Sequence, residues 1–378
     1  MPSRVRLILV VLLAVVAAAA PLVWRGWPRG TSGSSTRSTG SEGDLAGRPL
    51  PPLDAAEGWL NGGPVAGDSL AGGPAVVVLW RDTDPASVRA ALRAQAWHAA
   101  YRRYGVHVVG LHVPEFAFAA ETSQVARETR RLGLTFPQAL DPSLGLWSRF
   151  GGRPLPRLLL VDPSGTVIED AGADGVTRLE HAIRAAIRRS HPEVAFPADP
   201  GSMTEEGPGG TPPPIPTVFL GSTRVARGPL ANAPPGREQI FTAQFRNQIE
   251  GEPFAPYPVG RWRLGAEGAR AGRGGAENYL ALRYDAGALG AVMSPPAGSA
   301  VRVWILRDER WLGPDELGAD ARLDGRGASY VDVDAPRLYA LCTAAPGQHV
   351  VKLSPEVPGL TVHALTFDRS EAGEPPRP

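Results

Sequence analysis

The chain has 378 residues, longer than one hydrophobic core usually supports, and its 43% hydrophobic and 20% charged residues are those of a globular protein. A formal net charge of +1, with arginines spread along the chain, excludes the basic footprint of a nucleic-acid-binding protein. Cys342 is the only cysteine, which excludes an intramolecular disulfide, a cysteine-based zinc site and any two-cysteine redox cycle within the chain.

The first element is an apolar run over residues 7–24, preceded by Arg4 and Arg6. Its length is close to the minimum of about 18 residues that spans a bilayer. Residues 1–25 are therefore expected to be a signal anchor or signal peptide. Ala18 and Ala20 offer a small-residue cleavage pattern, but Pro21 after the cut disfavours processing. The favoured arrangement is a single uncleaved anchor in the cell membrane with an extracytoplasmic, periplasmic soluble part; secretion after cleavage is the alternative. Residues 26–47, rich in Gly, Ser and Thr, read as a flexible linker.

Residues 48–196 form the first candidate domain. AVVVLW at 75–80 predicts a strand buried on both faces, and Val88, Ala91, Leu92, Ala96 and Ala99 then recur at helical spacing up to Tyr104. A strand is predicted over Val106–Val113, a charged amphipathic helix over Ala119–Leu132, a strand over Leu158–Asp162 and its hairpin partner over Thr166–Glu169. A closing helix over Val176–Arg189 carries Val176, Leu179, Ile183 and Ile187 on one face. The order β-α-β-α-β-β-α, with crossovers long enough for parallel strands and a final antiparallel hairpin, is that of a thioredoxin-like fold.

The Gly/Pro-rich stretch 197–216 cannot sustain a helix or a central strand and is read as a linker. Residues 217–371 differ in kind: short runs such as YLALRY, VRVWIL, SYVDV and LTVHALTF alternate with Gly/Pro turns, which predicts an all-β sandwich resembling a jelly roll. Residues 372–378 form a tail.

The motifs GWLNG at 58–62, VVVLW at 76–80, AWH at 96–98, VVGLHVPEFAF at 108–118 and LPRLLLVDPSGTV at 155–167 resemble the periplasmic part of DipZ-type cytochrome c biogenesis proteins, within the redoxin and TlpA-like thioredoxin group. VFLG, RWRLGAE, RLYAL and VHALTF extend the resemblance to the family's C-terminal β-domain, so that it covers roughly residues 50–370. It implies a thiol–disulfide oxidoreductase with a Cys-x-x-Cys pair at the start of the first helix, facing a cis-proline. Here the cysteine positions are Asp84 and Ser87, and the proline is Pro156. A carboxylate and a hydroxyl cannot form a mixed disulfide, so no catalytic residue is assigned and the dithiol activity is expected to be absent. Asp84 followed by Pro85 reads as a helix cap with proline at the first helical position.

The candidate binding residues are Trp80, Glu115, Phe116 and Pro156 around the former substrate face, and Trp311 in the β-domain. Retention of Pro156 fits a surviving peptide groove, although fold preservation alone accounts for it. Glu115 sits in a loop after the second strand, where a strand-ending role competes with a cleft role. His107 and His112, five apart on one strand, point to opposite faces, and no metal site or cofactor is called for.

The first functional reading is a binding or scaffold protein of the cell envelope whose partner is an extracytoplasmic protein or peptide. The alternatives are a redoxin-type enzyme using Cys342 between molecules, although an apolar strand suggests a buried thiol there, and a carbohydrate-binding envelope protein. Trp262, Trp304, Trp311, Tyr330 and Tyr339 supply aromatic material for sugar binding, but most are expected in the core. Trp311, in the polar run RDERWLGPDE, is the one expected to be exposed, and glycan binding is expected to be weak or absent.

Overall fold

The computed structural model describes residues 44–65, 70, 72–196, 215–225, 227–242, 252–343 and 345–368. The apolar run over residues 7–24, expected to be an anchor, most of both expected linkers and the tail lie outside these. Among the described residues no helix is long and apolar enough to cross a membrane.

The first part is a six-stranded sheet flanked by helices. Its strands are β1 (Gly58–Leu60), β2 (Ala75–Trp80), β3 (His107–His112), β4 (Gln138–Leu140), β5 (Arg157–Val161) and β6 (Val167–Ala171), in the spatial order β1-β4-β3-β2-β5-β6. Its helices are α1 (Pro85–Tyr101), α2 (Thr122–Arg131), α3 (Gly145–Arg149) and α4 (Val176–Ser190). β2 is buried at every position because α1 and α4 cover one face of the sheet while α3 and the N-terminal segment around Leu45 and Leu53 cover the other. This is a thioredoxin-like fold. β2, β3 and β4 are parallel, whereas β5 pairs antiparallel to β2 with Leu79 opposite Arg157. The sequence reading missed β1, β4 and α3, and expected the helix before β4 to begin at Ala119; a 3-10 turn over Ala117–Ala120 occupies its first residues. Gly110 on β3 is required by packing, since a Cβ there would lie 2.0 Å from Gln138 Oε1.

The second part is all-β. Its strands are β7 (Val218–Phe219), β8 (Glu238–Phe241), β9 (Tyr257–Leu264), β10 (Ala269–Ala271), β11 (Tyr279–Asp285), β12 (Ala288–Ser294), β13 (Val301–Arg307), β14 (Arg310–Trp311), β15 (Arg322–Leu323), β16 (Ser329–Val333), β17 (Arg337–Thr343), β18 (Gln348–Pro355) and β19 (Thr361–Asp368). Ten of them form one antiparallel path, β15-β16-β13-β18-β11-β9-β10-β19-β12-β17, while β14, β7 and β8 pair with β13, β19 and β9. β9 belongs to both halves: Tyr257–Val259 pair with β11, whereas Trp262–Leu264 pair with β10. Gly260 sits at this changeover with φ +87°, a value that disfavours any residue with a Cβ, and an added Cβ would meet Asn278 Oδ1 at 2.3 Å. The halves close on one core, to which Leu280, Leu282, Val303, Val351 and Leu353 come from one half and Leu289, Tyr339, Val362 and Leu365 from the other.

The two parts pack together through the outer face of the β12/β17/β19 half. Leu338, Val292, Ala364 and Phe219 are lateral neighbours across β17, β12, β19 and β7, and Phe116 from the loop after β3 seats on this row.

Candidate functional site at the start of the first helix

The chain leaves β2 at Trp80, passes Arg81, Asp82 and Thr83, and enters α1 through Asp84 in an extended conformation (φ −121°, ψ 122°). Asp84 Oδ2 accepts from the Ser87 backbone N–H at 2.9 Å, which satisfies one of the free donors of the helix start, and Pro85 opens the helix without a donor to lose. The Leu155–Pro156 peptide bond is cis. Because Leu79 pairs with Arg157, Pro156 lies beside the end of β2 from which the chain enters α1. Ser87 and Pro156 are buried, whereas Asp84, Pro85, Ala86 and Leu155 are half-buried. Carboxylate, hydroxyl and proline ring therefore share one end of the sheet, with no thiol among them.

Beneath this edge lies a polar layer that the sequence reading missed. Asp82 is fully buried, with Oδ1 3.2 Å from His112 Nε2, and the His112 ring meets Trp80 edge-on at 5.3 Å. Trp80 Nε1 donates to Gln138 Oε1 at 2.9 Å. Glu128 on α2 is also buried; desolvation raises its carboxyl above the usual range and the nearby Asp82 adds to this, while Arg131, at 2.7 Å, opposes it. The exposed His107 and buried His112 do lie on opposite sides of β3, and no cluster among the described residues could hold a metal. The pairing of Asp82 with His112, thirty residues away, has no periodicity or motif to announce it.

Three of the candidate binding residues are committed elsewhere. Trp80 is a core side chain at 0% exposure, because the whole of AVVVLW is sandwiched between helical layers, so it offers nothing to a partner. Glu115 is held by Arg81 Nη1 at 2.5 Å, by the Thr83 hydroxyl at 3.1 Å and by Arg224 Nη1, from the β-domain, at 3.4 Å. Phe116 is buried in the join between the two parts, stacked on Phe118 and packed near Phe219 and His363. Arg224 lies over the Phe219 ring at 3.8 Å and the Phe116 ring at 4.6 Å. Glu267 accepts from Ala117 N, Gln124 Nε2 donates to Pro336 O, and Arg89 pairs with Asp368. The loop HVPEFAF thus grips the β-domain instead of lining an open cleft.

In the β-domain, Trp262 and Tyr339 are core residues, while Trp304 and Tyr330 are half-buried and Trp311 is exposed. Cys342 is buried at 1% exposure, 3.7 Å from the Tyr284 hydroxyl, and burial pushes its thiol up. A raised, enclosed thiol is a poor nucleophile.

Residues 216–368 match the family described as "Thioredoxin like C-terminal domain". Over 158 residues the chain is 31% identical to Protein DipZ of Mycobacterium bovis and to that of Mycobacterium tuberculosis, an alignment covering 41% of this chain and 23% of each relative. The chain is similar to DipZ proteins over these 158 residues. It spans only 23% of the length of these DipZ relatives. Solved structures that resemble it include a thioredoxin-like protein in the oxidized form, 22% identical, covering 37% of this chain and 95% of that one at a TM-score of 0.35. Another is a putative thiol:disulfide interchange protein DsbE from Chlorobium tepidum, 20% identical, covering 33% and 87% at a TM-score of 0.30.

Proposed function

We propose that this DipZ-type chain is a thioredoxin-fold binding or scaffold protein of the cell envelope that works without dithiol chemistry. The observation that carries the reading is the hydrogen bond from Ser87 N to Asp84 Oδ2 at 2.9 Å, at the helix position where the family resemblance places the attacking thiol. The carboxylate takes over the interaction with the helix start that would otherwise lower a thiol's pKa, and it cannot attack a disulfide sulfur. Cys342 offers no substitute, since its burial and raised pKa count against exchange between molecules.

The partner in this reading is an extracytoplasmic protein or peptide. Glu115 and Phe116 are occupied by the β-domain, which leaves the half-buried strip of Asp84, Pro85, Ala86 and Leu155 as the contact surface. The apolar run at residues 7–24 supplies a tether that keeps this surface outside the membrane, with release after cleavage as the alternative. The test combines an insulin-reduction assay with capture from solubilised membranes. Wild type should show no turnover above background and should retain an envelope protein that Ala86→Arg loses. Insulin turnover by the wild type, or equal capture by Ala86→Arg, would overturn the reading.

A further inference from the structure

Two buried carboxyl groups near the start of α1 are each left half-satisfied. Asp82, in the loop between β2 and α1, and Glu128, on α2, are both 0% exposed. Asp82 Oδ1 lies 3.2 Å from His112 Nε2, whereas its Oδ2 has no hydrogen-bond partner among the described residues. Glu128 repeats the pattern: Oε2 accepts from Arg131 Nε at 2.8 Å and lies 2.7 Å from Arg131 Nη2, while Oε1 has no partner. The buried hydroxyls of Ser87 on α1 and Thr129 on α2 are likewise without one. Most buried polar atoms in proteins are paired, so this group of four calls for an explanation.

The charges that face Glu128 come from its own helix, the loop after β2 and the β-domain. Arg131, on its own helix, bonds Oε2 alone and stays 37% exposed. Asp82 adds a like charge from the loop, and His112 of β3 holds the far side of that carboxylate. Arg337, at the start of β17, acts on Glu128 from the β-domain but is committed to Asp320 at 2.9 Å and to Asp334 at 3.9 Å. Gln124, four residues before Glu128 and on the same face of α2, donates to Pro336 O, so Glu128 lies on the side of the helix that docks on the β-domain. Two carboxylates enclosed near one another, with a single arginine bonded to them, are strongly disfavoured unless one takes up a proton.

We propose that Glu128 is a proton-operated catch: protonated, it holds α2 against the loop entering α1 and against the β-domain, and ionised, it draws α2 towards water and loosens both contacts. Desolvation, with Asp82 adding and Arg131 opposing, places the folded titration above the ordinary 4.5. The stabilisation is therefore fully present below 4.5 and is lost as pH rises through the folded value. The catch concerns how the fold responds to pH and holds whatever the strip around Asp84 binds, so its test is separate from the capture experiment.

The test is hydrogen–deuterium exchange of the detergent-solubilised full chain, read by mass over residues 122–131 between about pH 5 and 9 and corrected for the intrinsic pH dependence of exchange. Protection of α2 in the wild type should fall at least tenfold as pH rises, while β5 keeps its own. Glu128→Gln, which stays neutral, should remain protected throughout, and Asp82→Asn, which removes the like charge, should move the midpoint to lower pH. Infrared spectra supply a readout on the wild type alone: a carboxylic C=O band that persists above the ordinary carboxylate range should vanish over the same pH interval as the protection. Wild-type protection that does not change with pH, the same loss in Glu128→Gln, or a carboxylic band that is absent or titrates apart from the protection would overturn the inference.

Discussion

Acidification should loosen the join between the thioredoxin-like part and the β-domain through one side chain, His363. Its Nδ1 lies 3.0 Å from Glu267 O and its Nε2 2.8 Å from Ser294 Oγ, a pairing that suits a neutral ring donating to the carbonyl and accepting from the hydroxyl. Phe116 and Phe118 pack against the ring at 5.2 and 5.1 Å. Burial brings its pKa down from 6.5 to about 4, and the neighbouring Arg224 guanidinium adds to the effect. The folded value lies below the unfolded one, so the stabilisation is complete above about pH 6.5 and is lost as pH falls through about 4. A drop of this size corresponds to about 3 kcal/mol. Urea unfolding at closely spaced pH values should show the wild type losing this stability between pH 6.5 and 4, and His363→Gln, which lacks the titration, losing much less. A stability difference between the two proteins that stays constant across that window would refute the assignment.

Phe116→Ala should destabilise the protein by about 3–5 kcal/mol, since it opens a cavity on the Val292–Ala364 row, and limited proteolysis should then cut between the two parts more readily than in the wild type. Cys342 should react with a thiol reagent only in denaturant; fast labelling of the native protein would contradict its burial. The hydrogen bond from Arg310 brings the Glu316 carboxyl down to about 2, with Gly313 N and Arg307 helping, so its stabilisation is present above the ordinary value of 4.5 and is lost as pH falls through about 2. Glu316→Gln should flatten the acid limb of the unfolding curve in that range, and an unchanged limb would count against the network.

The elements with their own signal were readable from the sequence. AVVVLW needs no partner to be recognised as a doubly buried strand, and Leu179, Ile183 and Ile187 mark one face of α4 wherever it packs. The three-residue strands β1 and β4 carry no period that could reveal them, and they exist because β1 takes its hydrogen bonds from β4, and β4 takes its own from β1 and β3. The helix start was legible because a cap is local: Asp84, Pro85 and Ser87 are adjacent in the chain. The fate of Glu115 and Phe116 was not, because Arg224, Val292 and Ala364 lie more than one hundred residues away, and an apolar loop reads the same whether it lines a cleft or grips a second domain. Trp304, Tyr330 and Tyr279 become neighbours only through the register of β16, β13, β18 and β11.

In the proposed reading Asp84 and Ser87 occupy the positions of a redox pair from which the thiols are missing. Disulfide formation in the Asp84→Cys, Ser87→Cys double variant tests this most directly. Both residues lie at the start of α1, where the helix terminus favours a thiolate, so mild oxidation should join them in an intramolecular disulfide detectable by mass, and the reduced variant should gain insulin reductase activity that the wild type lacks. Ser87→Cys alone should give a single new thiol and no turnover. Two new thiols that remain separately titratable after oxidation, or insulin reduction by the wild type itself, would contradict the account.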